Sequence, residues 1–419
     1  MRLWFLLAAI AILVANPAVT RAAELTDVID AADGDDVIDV NLNVTFRSTL
    51  NRSKITHEFM RQWAQPGQSH WPDYNELRFD EQTYMMDYEI EVGLYHDVAL
   101  YVNLPWIIQT KREIGFVSGV SADSNSTVYR NTAPYPEFRN ATVDNPASGP
   151  STERDGIGDM QIGVKWAVFN DERDDTKSVW IIGLDYTIPS GKLAKPNDVA
   201  DDGKGNVGLG HHILTPFMLF SHRFSMLDPY IGVNASLPIQ SRDAKDNGLC
   251  LPIYGGFLTG MEIIPWENKD KKQKFAIDLR LWTTFFSEVE SKGYADAQGT
   301  VNEMSDFLVA SEWNQDNKNL ARQLQAQSQY TQFGVQLGFV FHAFDMFRMK
   351  FGVSLAHNTE HFITGAKFCD DKTGDGECEQ QQDVTNYFRT VGNYDDPGQR
   401  LRVEETTLFT YWVSAMATF

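Results

Sequence analysis

Between residues 158 and 169 the side chains alternate in character. Met160, Ile162, Val164, Trp166 and Val168 fall on one parity, and Gln161, Gly163, Lys165 and Ala167 on the other. A period of two is the signature of a strand with two unlike faces. It recurs in 274–286, where Phe275, Ile277, Leu279 and Leu281 oppose Ala276, Asp278 and Arg280. It recurs again in 329–341, where Phe333, Val335, Leu337, Phe339 and Phe341 oppose Gln332, Gly334, Gln336 and Gly338. The pattern predicts twelve strands, over 37–48, 83–95, 97–108, 158–169, 178–189, 211–223, 227–238, 252–265, 274–286, 329–341, 346–357 and 406–419. In 211–223 both parities are apolar, so the inward face is left open there.

The connections alternate in length. Long ones cover about 49–82, 110–157, 190–210, 239–251, 287–328 and 358–405, and short ones lie at His96-Asp97, Asn170–Lys177, Phe224–Met226, Trp266–Gln273 and His342–Asp345. A soluble sandwich has no reason to sort loops by parity, but a membrane barrel does. The prediction is an all-β fold: a 12-stranded antiparallel transmembrane β-barrel with long extracellular loops, short periplasmic turns and both termini on the periplasmic side. Closure follows from the solvent, because an unpaired strand edge facing lipid costs several kcal/mol per orphan backbone group.

The two ends agree with this reading. Residues 1–22 read as a signal peptide, with Arg2, the apolar run Leu3–Ala15, Pro17 and the small-residue site Thr20-Arg21-Ala22. No later segment has the roughly 20 apolar residues of a spanning helix. The last strand, Thr407-Leu-Phe-Thr-Tyr-Trp-Val-Ser-Ala-Met-Ala-Thr-Phe419, ends in the phenylalanine that outer-membrane barrels offer to the barrel-assembly machinery. Residues 23–36 are read as an acidic flexible segment and 37–419 as the barrel. Glu24 to Asp39 holds seven carboxylates and no basic residue.

Composition adds little to the fold and more to the partners. Aromatics make up 12% of the chain and the mean hydropathy is -0.33, as expected when only alternate residues meet lipid. The formal charge of -21 becomes -23 once Arg2 and Arg21 leave with the leader, which argues against nucleic acid as a partner. The expected partners are outer-membrane lipid and lipopolysaccharide, the assembly machinery and a small-molecule solute. The sequence does not set an oligomeric state.

Candidate chemistry lies on the polar parity. Asp87, Glu89, Glu91, Lys165, Asp185, Asp278, Arg280, Arg348 and Lys350 are placed inward, because a charge at mid-bilayer costs about 2–4 kcal/mol. They either cross-pair and fill the interior or select a solute. Trp106, Trp180, Trp266, Trp282, Tyr411 and Trp412 are the candidate interfacial girdle. Cys369 and Cys378 are expected to form a loop disulfide, with Cys250 a lone thiol near a strand end. Between them, Asp371, Thr373, Asp375 and Gly376 match the start of a calcium loop, but position twelve is Gln382 rather than a glutamate. Glu303–Gln327 has helical composition and is expected either to enter the mouth or to lie outside it. No metal spacing, cofactor loop or nucleophile elbow stands out, and no cofactor is expected. The nearest approach to a membrane hydrolase is His357-x-Thr359.

Four stretches carry a resemblance: Gly156-Ile-Gly-Asp-Met-Gln-Ile-Gly-Val-Lys-Trp166, Trp180-Ile-Ile-Gly-Leu-Asp-Tyr-Thr-Ile-Pro-Ser-Gly-Lys192, Gly203-Lys-Gly-Asn-Val-Gly-Leu-Gly210 and Asp228-Pro-Tyr-Ile-Gly-Val-Asn234. Together they resemble the MetA-pathway phenol-degradation family of outer-membrane barrels over roughly 155–290. The resemblance implies a Gram-negative outer-membrane location and uptake of aromatic or other hydrophobic small molecules. It transfers no substrate residue. Fatty-acid-channel relatives carry an Asn-Pro-Ala in an N-terminal hatch, whereas here Asn16-Pro17-Ala18 lies inside the leader. The leading expectation is therefore a channel or transporter for small solutes. The alternatives are a structural or adhesive barrel displaying acidic loops and, less favoured, an outer-membrane hydrolase.

Overall fold

The computed structural model describes residues 23–29, 39–58, 73–95, 97–120, 151–170, 178–195, 204–268, 271–289, 300, 303, 327–344, 346–363 and 401–419. A 3-10 turn, Glu24–Thr26, precedes the strands. These are β1 (Val40–Glu58), β2 (Asp73–Tyr95), β3 (Val98–Phe116), β4 (Ser151–Ile157), β5 (Met160–Phe169), β6 (Val179–Ile188), β7 (Lys204–Gly205), β8 (His211–Ser221), β9 (Leu227–Gln240), β10 (Tyr254–Asn268), β11 (Gln273–Phe286), β12 (Tyr330–Phe344), β13 (Phe347–Asn358), β14 (His361–Phe362) and β15 (Leu401–Thr418).

All of them belong to one sheet that closes on itself. β4 prolongs β5 beyond a bend at Gly158-Asp159, β14 prolongs β13 along β15, and β7 flanks β4. The other twelve run up and down around a barrel, sealed where β1 meets β15. At that seam Val40 and Phe419 exchange backbone hydrogen bonds of 2.9 Å in each direction. The terminal residue thus completes the hydrogen-bonded wall at the rim. The Asp159 carboxylate accepts the backbone N–H groups of Gly191 and Leu209 and pins the long connection there to the wall.

All twelve predicted strands are present, but β1, β2, β3 and β15 run further than the alternation indicated. β2 begins at Asp73 rather than 83, and β3 ends at Phe116 rather than 108. The extra length lies on the long-loop side. There the inner face buries Ile55, Leu77, Phe79, Ile114, Phe116, Leu401 and Val403 as a core, while the outer face carries charge. Beyond the bilayer no lipid enforces an apolar outer parity, so the signal fades.

Over the middle of the wall Leu42, Val44, Ile90, Leu100, Trp106, Trp166, Ile182, Leu184, Leu279, Leu281, Val335 and Val413 project outward and stay exposed. A continuous apolar belt around a closed barrel, with every strand edge paired, is the architecture of an outer-membrane barrel. Among the described residues no helix is long and apolar enough to cross a membrane.

The two faces of β8 are resolved by its neighbours. Phe217 and Leu219 point inward because glycines on the adjoining strands, Gly183 and Gly232, leave room for them against the wall. The aromatic girdle needs a correction. Trp106, Trp266 and Tyr411 face lipid, but Trp282 and Trp412 turn into the lumen. They share parity with Asp278 and Arg280, and with Thr410 and Ser414, so inward placement follows from the pleat.

Candidate functional site

The inner wall reads as rows of side chains across neighbouring strands. One row runs Lys274, His342, Arg348, Met416 at the short-turn end. Two residues higher on each strand come Ala276, Val340, Lys350, Ser414, then Asp278, Gly338, Gly352, Trp412, then Arg280, Gln336, Ser354, Thr410, then Trp282, Gly334, Ala356, Leu408. Period-two alternation and antiparallel register place these residues side by side.

Glycine shapes this wall. The Trp282 ring lies on Gly334, and the Trp412 ring lies on Gly352, so close that an added Cβ there would meet its Cζ2 at 2.8 Å. Each indole therefore has one face against bare backbone. Both line a cavity of about 670 Å³ together with Arg47, Tyr230, Arg280 and Gln336.

The predicted charged residues all reach the interior, and most are already partnered. Asp87 faces Arg47 at 3.6 Å. Glu91 pairs with Lys165 at 2.5 Å. Asp185 accepts the Tyr101 hydroxyl. Asp278 takes Arg280 at 3.1 Å and also the Tyr230 hydroxyl. Glu89 makes no ion pair among the described residues. Most of the set is thus held in ion pairs or hydrogen bonds within the barrel.

The floor of the cavity is formed by the chain's own N-terminal stretch. Residues 23–29 of the acidic lead-in lie inside the barrel at the short-turn end, with Ala23, Thr26 and Val28 buried. Glu24 is ringed by Lys350 at 2.7 Å, His342 at 3.0 Å and Arg348 at 3.4 Å. Its backbone N–H donates to Glu262 Oε1, and Glu262 in turn pairs with Lys274 at 2.8 Å. Asp27 pairs with Arg348, and its carbonyl accepts Lys165 Nζ across the lumen at 3.1 Å. Thr26 shares a hydroxyl contact of 2.7 Å with Ser221. Val28 packs on Ala99, Ala167, Val179 and Ile181. Burial alone would raise the Glu24 pKa, but Lys350, Arg348 and His342 outweigh it and hold the carboxyl well below its usual range. Sequence reasoning missed this docking. The signal was a charge complement: an acidic stretch without bases, set against Lys274, His342 and Arg348 at the short-turn ends of three consecutive strands, β11 to β13, with Lys350 two residues above Arg348.

Other expectations fall elsewhere. Cys369, Cys378 and the acidic run between them lie outside the described residues, as do 304–326 of the helical stretch. The Cys250 sulfur accepts a contact from Gln240 Nε2 at 3.1 Å. His357 faces outward, and the Thr359 hydroxyl accepts the backbone N–H of Thr331. No group of metal-ligating side chains occurs among the described residues.

No family model matches this chain, and no curated protein does. Among solved structures, it is similar to the COG4313 outer membrane channel from Pseudomonas putida F1, at 9% identity over 93% of this chain and 100% of that one, with a TM-score of 0.44. A FadL homologue from Pseudomonas aeruginosa is similar at 9% identity, covering 91% and 90%, with a TM-score of 0.34. A deltaS2 mutant of the TodX monoaromatic hydrocarbon channel follows at 10% identity, covering 96% and 93%, with a TM-score of 0.31. Identities and TM-scores this low fix no function for this chain.

Proposed function

We propose that this protein is a passive outer-membrane channel for small solutes with a flat hydrophobic or aromatic body and a hydrogen-bonding substituent. The observation that carries the reading is the cavity of about 670 Å³ with the Trp282 and Trp412 indoles on its wall. Between the two indoles runs a polar row of Arg280, Gln336, Ser354 and Thr410. An indole backed by glycine offers an open π-face, which favours stacking of a planar ring. The charges nearby are largely paired, so little net charge is left to demand an ion. The resemblance to the MetA-pathway phenol-degradation family points the same way, and the reading assigns no enzymatic step.

The test is solute entry into liposomes carrying the refolded protein. Small monoaromatics are expected to enter faster than sugars of equal mass, and to quench tryptophan emission in a saturable way. Trp282→Ala with Trp412→Ala should abolish the saturation while the barrel still folds. A lumen that neither binds nor passes any such solute would instead favour a barrel that only displays its loops.

A further inference from the structure

We propose that the outer face of the β1–β2–β3 wall, where it rises above the lipid belt, binds the phosphorylated sugar headgroup of an outer-leaflet glycolipid. The side chains on that face change in register with height. Lowest is an aromatic cluster at the edge of the belt: Phe46 with Tyr84 at 6.4 Å between ring centroids, and Phe46 with Tyr411 at 6.1 Å. Next comes the row Leu50, Gln82, Lys111, in which Gln82 Nε2 donates to the Tyr84 hydroxyl at 2.6 Å. Above it lies the row Arg52, Asp80, Glu113, with Arg78 one step further along β2.

Asp80 is the organising group. It holds Arg52 at 3.1 Å and Arg78 at 2.6 Å, and its side chain is only 20% exposed, against 66% and 51% for the two arginines. The carboxylate is therefore at the back and both guanidiniums are in front. It cancels their mutual repulsion and fixes their forks in place. Lys111, tied to Glu113, closes the third side of a groove of about 500 Å³. Two adjacent guanidiniums match the oxygens of a phosphate better than isolated ammonium groups do.

Height selects the source of the phosphate. Asp80 is four residues beyond Tyr84 on β2. At about 3.3 Å per residue along a strand tilted by about 40°, it stands roughly 10 Å above the aromatic edge. That is the level of a glycolipid's phosphorylated sugars when its acyl chains lie against Leu50 and the rings. In a chain of formal charge -21, the outer face of these three strands sets four bases, Arg52, Lys54, Arg78 and Lys111, against two acids, Asp80 and Glu113, with Glu405 and Glu153 on the flanking strands. The alternative is that these pairs only satisfy each other, as solvent-exposed ion pairs at a rim do.

The experiment is native mass spectrometry of the full refolded barrel in detergent, titrated separately with bis-phosphorylated lipid A, fully dephosphorylated lipid A and inorganic pyrophosphate. Wild type should retain bis-phosphorylated lipid A and discriminate by about tenfold or more against the dephosphorylated form, as a charge-assisted clamp requires. Arg52→Gln with Arg78→Gln should lose that preference. Arg242→Gln, at a side chain 92% exposed and off this face, should keep it. Lys111→Gln disturbs only one exposed pair and is expected to weaken binding in a barrel whose folding is not in question. Equal retention of both lipids, or no change in the Arg52→Gln, Arg78→Gln double variant or in Lys111→Gln, would overturn the site. Retention of pyrophosphate as strong as that of lipid A would overturn its assignment to a lipid headgroup.

Discussion

Glu24 illustrates how one side chain can hold a segment in place. Its carboxylate meets three potential cations in a nearly closed space, and removing one partner of such a buried cluster costs roughly 3–5 kcal/mol. Glu24→Gln is therefore expected to loosen residues 23–29 and to raise single-channel conductance at neutral pH. The pH dependence has a definite sign. A folded pKa held below the ordinary 4.5 adds docking stability that is whole above that value and is lost as pH falls through the depressed one. Conductance recorded from pH 7 downward should stay flat to about pH 5 and climb only in stronger acid. A rise already complete by pH 5 would assign the latch to another group. Gly334 makes a second residue-scale case. A Cβ there collides with the Trp282 ring, so Gly334→Ala is expected to cost about 1–3 kcal/mol in thermal or denaturant melts. It should also weaken quenching of tryptophan emission by aromatics.

Strands carry the next level of organisation. A single residue step reverses which face a side chain meets, and that is why Trp282 and Trp412 enter the lumen while Leu281 and Tyr411, each one position away, meet lipid. The same rule gives a topology test, because strands that alternate direction put all long connections on one side. Protease added to intact cells is expected to cut within 121–150 and 304–326 and to spare 171–177. Cleavage at the last of these first, read by peptide mass, would invert the barrel.

For the molecule as a whole, the question is what its charge does. The total of -21 suggests a strongly cation-selective pore, yet the lumen tempers this by pairing. Arg47, Lys165 and Arg280 occupy Asp87, Glu91 and Asp278. Glu89 stands apart, so weak cation selectivity is expected and Glu89 is expected to set most of it. Reversal potentials across a KCl gradient should move toward the anion side in Glu89→Gln. They should move less in Glu91→Gln, because that carboxylate is only 8% exposed to the lumen and so acts less on a passing ion. An anion-selective wild type, or equal shifts in both, would make these carboxylates filler.

The sequence by itself determined the barrel. Strand number, direction and, outside β8, inward parity are local properties, written in alternation and loop length because each residue in the belt faces either lipid or lumen. In β8, apolar on both parities, only the glycines of its neighbours decided the inward face. The inward placement of Asp278, Arg280, Arg348 and Lys350 was legible for the same reason. What only the tertiary structure decided were contacts between residues far apart in the chain. Glu24 and Lys350 meet across more than three hundred residues, and no periodic signal reports such a meeting. Nor does alternation reveal that Gly334 and Gly352 make room for two indoles, or that Asp80 sets Arg52 beside Arg78. Those depend on register between strands, which closure of the barrel fixes and composition does not.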